Sequence, residues 1–414
     1  MRLHRPLLGI NFFAGDVSAG LGPYLAIYLL TTLHWSPGQI GVALALGGIA
    51  TVLAQTPAGA IIDVTRAKRG ILAVCIVTIA AGTVSIIFFN SAIAIYAAQI
   101  ALGAAMAFMG PSIAALTLGI VGRENFTAQT SANQAVNHAG NVVAAVVAAG
   151  LALWVSSLGV FWLVAAMATG MLVCVAMLRP DEIDHDVARG LDEEGDNRPD
   201  RTKPSGFATL IEDRRLLVFA ICVVLFHFAN AAMLPLVGQK LALNGDAAHG
   251  IAFTSACIVA AQVMMTAMAL FCGWKADSWG RKPLFLIAFS VLPIRGVLFT
   301  LWDNSAYLVA VQALDGVANG IFAMLFLLII ADITAGTGRF NLAQGALATL
   351  VGIGASCSNL IAEWVVQLAG YSAGFLFLAF VAVVGSLVFA IFMPETAPHA
   401  VRRHAKLPME QAPT

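Results

Sequence analysis

A short charged motif occurs twice in this chain, between long apolar stretches. The first copy begins at Gly59 and contains Asp63, and the second begins at Gly273 and contains Asp277. The two aspartates lie 214 positions apart in a chain of 414 residues. Self-similarity over half the length of a chain predicts two halves built on the same plan.

Two further matches have nearly the same offset. The segment from Gln99 to Gly103 parallels Gln312 to Gly316, 213 positions later. Gly122-Arg-Glu-Asn parallels Gly338-Arg-Phe-Asn, 216 positions later. Three matches in the same order favour a duplication.

The composition indicates a membrane protein. The chain is 60% hydrophobic and 11% charged, whereas soluble domains contain about 25% charged residues. A membrane-spanning helix needs about 20 mostly apolar residues. We predict twelve such spans, at about 6–33, 39–61, 70–89, 92–121, 127–154, 157–178, 215–240, 249–272, 283–302, 306–334, 342–367 and 371–393.

The basic residues predict the orientation of these spans. With the N-terminus inside, 20 of the 22 Lys and Arg residues fall in inner segments or in the central linker, and the exceptions are Lys240 and Arg295. Positive charge concentrates on the cytoplasmic side of membrane proteins. We therefore expect both termini in the cytoplasm and a location in the plasma membrane, which is the inner membrane in a bacterium.

The predicted organisation has four parts. Residues 1–178 form an N-terminal six-helix bundle, 179–214 a cytoplasmic linker, 215–393 a C-terminal six-helix bundle and 394–414 a cytoplasmic tail. The linker is rich in Asp and Glu, which is typical of a solvated segment. The six cysteines are scattered through predicted spans without metal-ligand spacing, so we predict no metal and no cofactor.

The motif and the twelve spans resemble the major facilitator superfamily, whose members carry G-x-x-x-D-x-x-G-R-[KR] between the second and third spans of each half. The second copy matches at every motif position, namely Gly273, Asp277, Gly280, Arg281 and Lys282. The first keeps Gly59, Asp63 and Lys68, but Arg66 and Ala67 replace the second glycine and the arginine. The resemblance covers the whole chain and implies an all-α membrane fold of two pseudo-symmetric six-helix bundles.

The resemblance also implies a role for this latch motif (Gly59, Asp63, Lys68, Gly273, Asp277, Gly280, Arg281 and Lys282). In the family it stabilises the outward-open state. The glycine permits close helix approach, and the aspartate faces the positive N-terminus of a helix in the other half. Carried over, Asp63 would face the region of Asn341, and Asp277 that of Asn125. The simpler interpretation is that the cations only fix the topology.

Two signatures found in many family members are missing. Gln99 stands where many members have an arginine in the fourth span. The glycine-proline motif of many drug/proton antiporters is absent from the fifth span. These departures count against a standard drug antiporter and leave the predicted fold unchanged.

Ionisable side chains at mid-membrane depth indicate function, because burying them in a bilayer is costly. Asp16 lies at this depth in the first span, His138 in the fifth and His227 in the seventh. Asp16 is our first candidate for a carboxyl group that carries a proton or pairs with the substrate. The alternative is a structural hydrogen bond to a neighbouring helix.

The fifth span carries an amide stripe. Asn133, Asn137 and Asn141 are spaced four residues apart, and Gln134 and His138 form the adjoining row. Such groups are unfavourable against lipid. They either bind substrate or contact another helix, and the sequence does not decide between these two roles.

The second half has similar groups. His227 and Asn230 lie one turn apart in the seventh span, where Pro235 is expected to loosen the helix. Asp315 and Asn319 share a face of the tenth span.

Arg295, in the ninth span, lies at the depth of Asp315, which predicts an ion pair that is either structural or broken by protonation. Glu363, near the outer end of the eleventh span, is expected to be an interfacial carboxylate rather than an outer gate.

We predict a secondary transporter and not an enzyme, since no nucleotide-binding loop or hydrolase pattern occurs. Its expected partners are a small-molecule substrate, protons and the lipid bilayer, without nucleic acid, and we expect a monomer. Three functions stay open: proton-coupled efflux of a small organic compound, proton-coupled uptake of a polar metabolite, and divalent-metal export. The last requires Asp16, His138 and His227 to converge.

Overall fold

The computed structural model describes residues 3–19, 21–185, 187–189, 213–334 and 340–397. These residues form α-helices and two short 3-10 turns, with no strand among them. The helices are α1 Arg5–Ala19, α2 Leu21–Thr31, α3 Pro37–Val64, α4 Lys68–Phe88, α5 Ala92–Trp154, α6 Gly159–Ala176, α7 Arg214–Asn230, α8 Met233–Leu243, α9 Ala247–Trp279, α10 Arg281–Leu298, α11 Ser305–Thr334 and α12 Phe340–Phe392.

Two of these helices contain a sharp bend at a glycine. Gly122 (φ 69°) divides α5, and Gly370 (φ 85°) divides α12. A positive φ is strained for residues with a Cβ atom, so glycine is the residue that allows the chain to turn there. Each bend falls where the sequence predicts the end of one span and the start of the next.

Nine helical stretches of the described chain are long and apolar enough to cross a membrane. The all-α membrane fold is thereby confirmed, while the count of twelve spans stays a prediction. The first predicted span consists of α1 and α2. The ninth predicted span corresponds to α10, an 18-residue helix that contains Arg281, Lys282 and Arg295.

The outer surface of the helices is apolar. Large hydrophobic side chains are widely exposed, among them Leu53, Ile93, Leu270 and Ile391. Such a surface is unfavourable in water and suits contact with lipid tails.

The chain forms two compact units. Unit 1 comprises Met1–Arg201, Leu234–Val259 and Asn359–Tyr371, and unit 2 comprises Thr202–Met233, Ala260–Ser358 and Ser372–Thr414. Unit 1 therefore holds the first predicted half together with two segments of the second. The predicted domain bounds stay a prediction, and residues 190–212 of the linker and 398–414 of the tail lie outside the described residues.

In unit 1, α3 and α4 pack against α5, and α1 packs against both α5 and α6. The described start of the linker also packs on α5, where the amide of Asp184 donates to the Gly119 carbonyl at 2.9 Å. In unit 2, α10 packs against α11 around a cluster of buried phenylalanines that includes Phe226, Phe285 and Phe389.

Asp213, at the end of the predicted linker, is the N-cap of α7. Its carboxylate accepts a hydrogen bond from the backbone N–H of Arg215 at 2.8 Å and pairs with the Arg215 guanidinium at 2.7 Å. The side-chain hydrogen bond from Arg215 lowers the pKa of the Asp213 carboxyl group. The side chain thus satisfies a helix-end N–H that has no partner within the helix.

The duplicated glycines occupy matching places in the two units. A Cβ atom on Gly103 of α5 would overlap the carbonyl oxygen of Gly47 in α3. A Cβ atom on Gly316 of α11 would overlap the carbonyl oxygen of Ala261 in α9. Both glycines therefore permit two helices to approach closely, and Ala261 lies 214 positions after Gly47.

We predict that Gly103→Ala and Gly316→Ala each lower the thermal unfolding midpoint in detergent, because the added methyl group forces the helices apart at a cost of about 1–3 kcal/mol. Gly345→Ala is the matched control, since a Cβ atom on this exposed helical glycine meets nothing within 4 Å. Equal midpoints for all three variants would contradict the close contacts.

Candidate functional site

A buried guanidinium group organises the polar interior of unit 2. Arg295, on α10, has no exposed side-chain surface and pairs with the carboxylate of Asp315 on α11. It also donates to the side-chain oxygen of Asn230 at 2.6 Å and contacts the sulfur of Met233 at 2.9 Å. Residues of α7, α8 and α11 therefore meet at the Arg295 cation of α10.

The same network includes Asn319. Its amide donates to the Asp315 carboxylate at 3.0 Å, and its side-chain oxygen accepts from Asn230 at 3.3 Å. Asp315 and Asn319 reach the same point because residues four apart on a helix share a face. Asn230, Arg295, Asp315 and Asn319, all selected from the sequence, thus form one hydrogen-bonded cluster, which we call the Arg295 network.

Asn230, which joins this network, is the last residue of α7. The chain leaves the helix at Ala231, and the backbone N–H of Ala232 donates to the Ser358 hydroxyl at 3.1 Å. Pro235 follows in the first turn of α8. Since proline has no N–H to donate to the carbonyl four residues earlier, the break falls before Pro235 rather than at it.

His227 lies one turn before Asn230. None of the hydrogen bonds described for the Arg295 network involves it. Its Nδ1 atom lies 3.2 Å from the Val223 carbonyl oxygen. Its ring packs edge-on against Phe322, with ring centroids 4.7 Å apart. Phe226 stacks on Phe322 at 4.6 Å. His227 is therefore held as part of an aromatic cluster beside the network.

The amide stripe of α5 contacts α1. Asn137 donates to the carbonyl oxygen of Asn11 at 3.0 Å. A Cβ atom on Gly15 would lie 2.9 Å from the backbone nitrogen of Asn141, and one on Gly140 would overlap the Phe12 carbonyl. These glycines bring the two backbones together, so Asn137 and Asn141 lie at a helix crossing.

Asn133 is bonded within unit 1. It is 4% exposed, accepts from the Gln129 amide at 3.0 Å and donates to the Thr117 hydroxyl at 3.4 Å. His138 is exposed on α5.

Part of this stripe borders a cavity of about 320 Å³ in unit 1. The polar groups of its wall are Asn11, Thr117, Thr130, Asn133, Gln134 and Asn137, and the remaining lining residues are apolar apart from Gly110. The sequence left substrate binding and helix contact open for this stripe. In the structure Asn133 and Asn137 make helix contacts and line the cavity as well.

Asp16 lies in α1, and its side chain is outside the described residues, as are the side chains of Asp63, Asp277 and Asn341. The expected cross-half contacts of the two latch aspartates therefore also lie outside the described residues. Within the described part of the chain, no group of three or more His, Cys, Asp or Glu side chains is placed to hold a metal ion.

Two cations of the latch motif, Lys68 and Arg281, are buried within their own units. Lys68 has no exposed surface and donates to the Thr65 carbonyl at 2.6 Å. Arg281 is 5% exposed and pairs with Asp332 at 3.1 Å. At Gly59 and Gly273 a Cβ atom would meet no described atom within 4 Å, and the role of these two glycines in the latch stays a prediction.

Glu395 is a partner of the motif that the sequence analysis missed. Its carboxylate accepts from the backbone N–H groups of Arg281 and Lys282, at 2.8 and 3.1 Å, and so caps the start of α10. Gly280 (φ 92°) makes this contact possible, because a Cβ atom there would overlap the carboxylate. The repeat does not predict this cap: Pro394-Glu395 lies 214 positions after Pro180-Asp181, but Asp181 pairs with Arg179 instead.

The structure corrects the expectation for Glu363. We expected an interfacial carboxylate, but this side chain has no exposed surface. It accepts a hydrogen bond from the Gln239 amide at 2.5 Å. The sequence pattern missed this burial because Glu363 lies close to the predicted outer end of its span, where carboxylates commonly reach water.

We predict that Asp315→Asn and Arg295→Gln each lower the thermal unfolding midpoint, because either change leaves one buried charge uncompensated, at about 3–5 kcal/mol. The double variant should be more stable than the sum of the two losses implies. Losses that simply add would mean that the two side chains are not coupled.

Comparisons with known proteins agree with this architecture. The family model described as Major Facilitator Superfamily matches residues 7–292 and 220–409. The MFS-type transporters Rv2456c and MT2531, from two strains of Mycobacterium tuberculosis, are each 47% identical over 403 residues, which covers 97% of this chain and 95% of each relative.

Solved structures of low sequence identity share the fold. The nucleoside transporter NupG matches with a TM-score of 0.77 at 17% identity, over 95% of this chain and 99% of its own. A POT family transporter in complex with a thioalcohol-conjugated peptide matches with a TM-score of 0.74 at 13% identity, over 94% and 96% of the two chains. On the match of the family model along the chain and the identity with the mycobacterial relatives, this protein belongs to the major facilitator superfamily.

Proposed function

We propose that this member of the superfamily is a proton-coupled secondary transporter that exports a small, polar organic compound by alternating access. The observation that carries the proposal is the Arg295 network, a charged cluster inside an apolar helix bundle. Buried ionisable groups of this kind occur in proton relays and substrate pathways of membrane proteins. The transporter works as a monomer in a bacterial plasma membrane, with both termini in the cytoplasm.

Asp315 is the group that couples the proton to the cycle. As a carboxylate it neutralises Arg295, which has no exposed surface of its own, and the Asp315 side chain is 16% exposed. Protonation removes the negative charge and weakens the hold on Arg295. The paired and released forms of Arg295 provide the two states that a switch needs.

Export follows from competition at this carboxylate. A proton and a donor group of the solute both bind to Asp315, and neither binds well while the other is present. Exchange of solute for proton is then favoured over their joint movement. This logic holds for a solute that carries hydrogen-bond donors or a positive charge.

The cavity of unit 1 supports a polar solute. Its wall offers amide and hydroxyl groups among apolar residues, and a few placed polar groups in an apolar pocket give orientation and selectivity. The fold shared with a nucleoside transporter and a peptide-bound POT family transporter is consistent with solutes of this polarity.

Uptake of a polar metabolite is the second candidate, and the same amide-lined cavity favours it. If Asp315 is protonated while Arg295 binds an anionic or carbonyl group of the solute, proton and solute move together. Divalent-metal export has no supporting observation among the described residues.

Inside-out membrane vesicles acidified by respiration separate export from uptake. On addition of a transported compound, export predicts release of protons from the vesicles and loss of this release in Asp315→Asn. Asp16→Asn, the sequence-based alternative for the proton carrier, serves as the comparison variant. Uptake into whole cells that stops with an uncoupler would support the second candidate instead, and full coupling in Asp315→Asn would contradict the role of Asp315.

We predict that Gln134→Leu abolishes stabilisation of the purified protein by a transported compound, because it removes one of the amide groups that line the cavity. A screen of nucleosides, amino acids and short peptides by thermal unfolding identifies such a compound. A ligand at 100 times its dissociation constant stabilises by about 2.7 kcal/mol. Thr78→Val, on the exposed face of α4 and outside the cavity, is the control. Equal stabilisation of both variants would place the solute elsewhere.

A further inference from the structure

Unit 1 contains a buried carboxyl group that the transport proposal, which rests on Asp315 of unit 2, does not use. Glu363, on the Asn359–Tyr371 segment of α12, has no exposed side-chain surface. One oxygen accepts from the Gln239 amide, while the other, Oε2, is buried without a hydrogen-bond partner. None of the ion pairs described for this chain involves Glu363.

The orientation of Gln239 is set by a third group. The Tyr371 hydroxyl donates to the Gln239 side-chain oxygen at 3.0 Å. The amide nitrogen of Gln239 therefore faces Glu363, and Gln239 supplies a donor to Oε1 alone. Tyr371 is the titratable group joined to Glu363 by this chain of bonds.

The ionised and the protonated forms of Glu363 fit these surroundings differently. A carboxylate would hold a negative charge in a buried site with one neutral donor, and an uncompensated buried charge is strongly unfavourable. A protonated carboxyl group keeps the bond at Oε1 and carries its hydrogen on Oε2. The buried amide oxygen of Asn359 lies one turn earlier on the same helix, where residues four apart are neighbours.

Glu363 lies within a tight helix contact. A Cβ atom on Gly41 of α3 would come within 2.7 Å of the Glu363 Cβ atom and 2.8 Å of the Asn359 carbonyl oxygen. Nearby, the backbone N–H of Gly38 donates to the Gln367 side chain at 2.8 Å. Water has no room to solvate a charge at Glu363 while α3 stays in this contact.

We propose that Glu363 is a proton-binding site whose occupancy stabilises the packing of α3 against the Asn359–Gln367 face of α12. The proton neutralises the carboxyl group in the closed contact. Loss of the proton creates a charge that is stable only when the helices separate and water enters. The closed contact binds one more proton than the open one, so it is favoured at low pH and opens as the pH rises.

Spin labels on the two sides of the contact test this inference without any substrate. Gln39→Cys and Leu368→Cys are introduced together, at exposed positions next to the Gly38–Gln367 hydrogen bond, in a chain without the six native cysteines. Dipolar broadening reports the closed contact. The ratio of the closed form to the open form should fall with rising pH, by up to about tenfold per pH unit for one proton.

Three comparisons decide the outcome. Glu363→Gln should keep the labels close at every pH, and Glu363→Asp should regain the pH dependence with a shifted midpoint. Labels at Phe89→Cys and Ile93→Cys, exposed positions at the α4–α5 connection, should not respond to pH. If Glu363→Gln yields no folded protein, Glu363→Asp still tests the inference, because a midpoint equal to that of the unchanged protein contradicts it.

Several results would overturn the inference. These are the same pH profile with and without the Glu363 carboxyl group, no response of the wild-type contact to pH, and closure driven by Na⁺ at constant pH. The experiment is independent of Asp315. Normal proton coupling in Asp315→Asn vesicles would remove the proposed role of that residue and leave the result at Glu363 intact.

Discussion

The Arg295–Asp315 pair is the interaction on which the interior of unit 2 depends. A guanidinium without exposed surface cannot lose its proton under ordinary conditions and must keep its bonding partners. Asp315 supplies the opposite charge, and Asn230 an oxygen at 2.6 Å. The pair joins α10 to α11, and Asn319 accompanies Asp315 because residues four apart share a face of the helix. A proton that neutralises Asp315 disturbs each of these contacts.

The duplication explains how such a polar centre is carried by an apolar fold. In each unit a glycine of the repeated Gln-x-x-x-Gly segment permits two helices to touch, at Gly103 and Gly47 in one and at Gly316 and Ala261 in the other. Lipid supplies little driving force for helix association, so close backbone packing has to provide it. The repeated scaffold is thus similar in the two units, while their polar residues differ. Unit 1 presents a cavity lined with amides, and unit 2 an ion pair.

Much of the fold was readable from the sequence because its physical cause is local. Apolar length predicts helices, and the glycines at 122 and 370 lie at the bends between predicted spans. The pairing of Arg295 with Asp315 was also predicted, because helical rise gives depth and a lone arginine at that depth is costly. By contrast, the burial of Glu363 depends on how α3 packs against α12, and the capping of α10 by Glu395 depends on contacts between residues 114 and 113 positions apart. Residue spacing along the chain does not encode such contacts.

In the proposed transport cycle, Asp315 gains and loses a proton inside the helix bundle. Infrared difference spectra of the purified protein, recorded as the pH is changed, measure this event directly through the C=O stretch of a protonated carboxyl group. Proton exchange at Asp315 predicts a band that is absent in Asp315→Asn and retained in Glu363→Gln, where any second band from Glu363 is lost instead. An unchanged set of carboxyl bands in Asp315→Asn would contradict it.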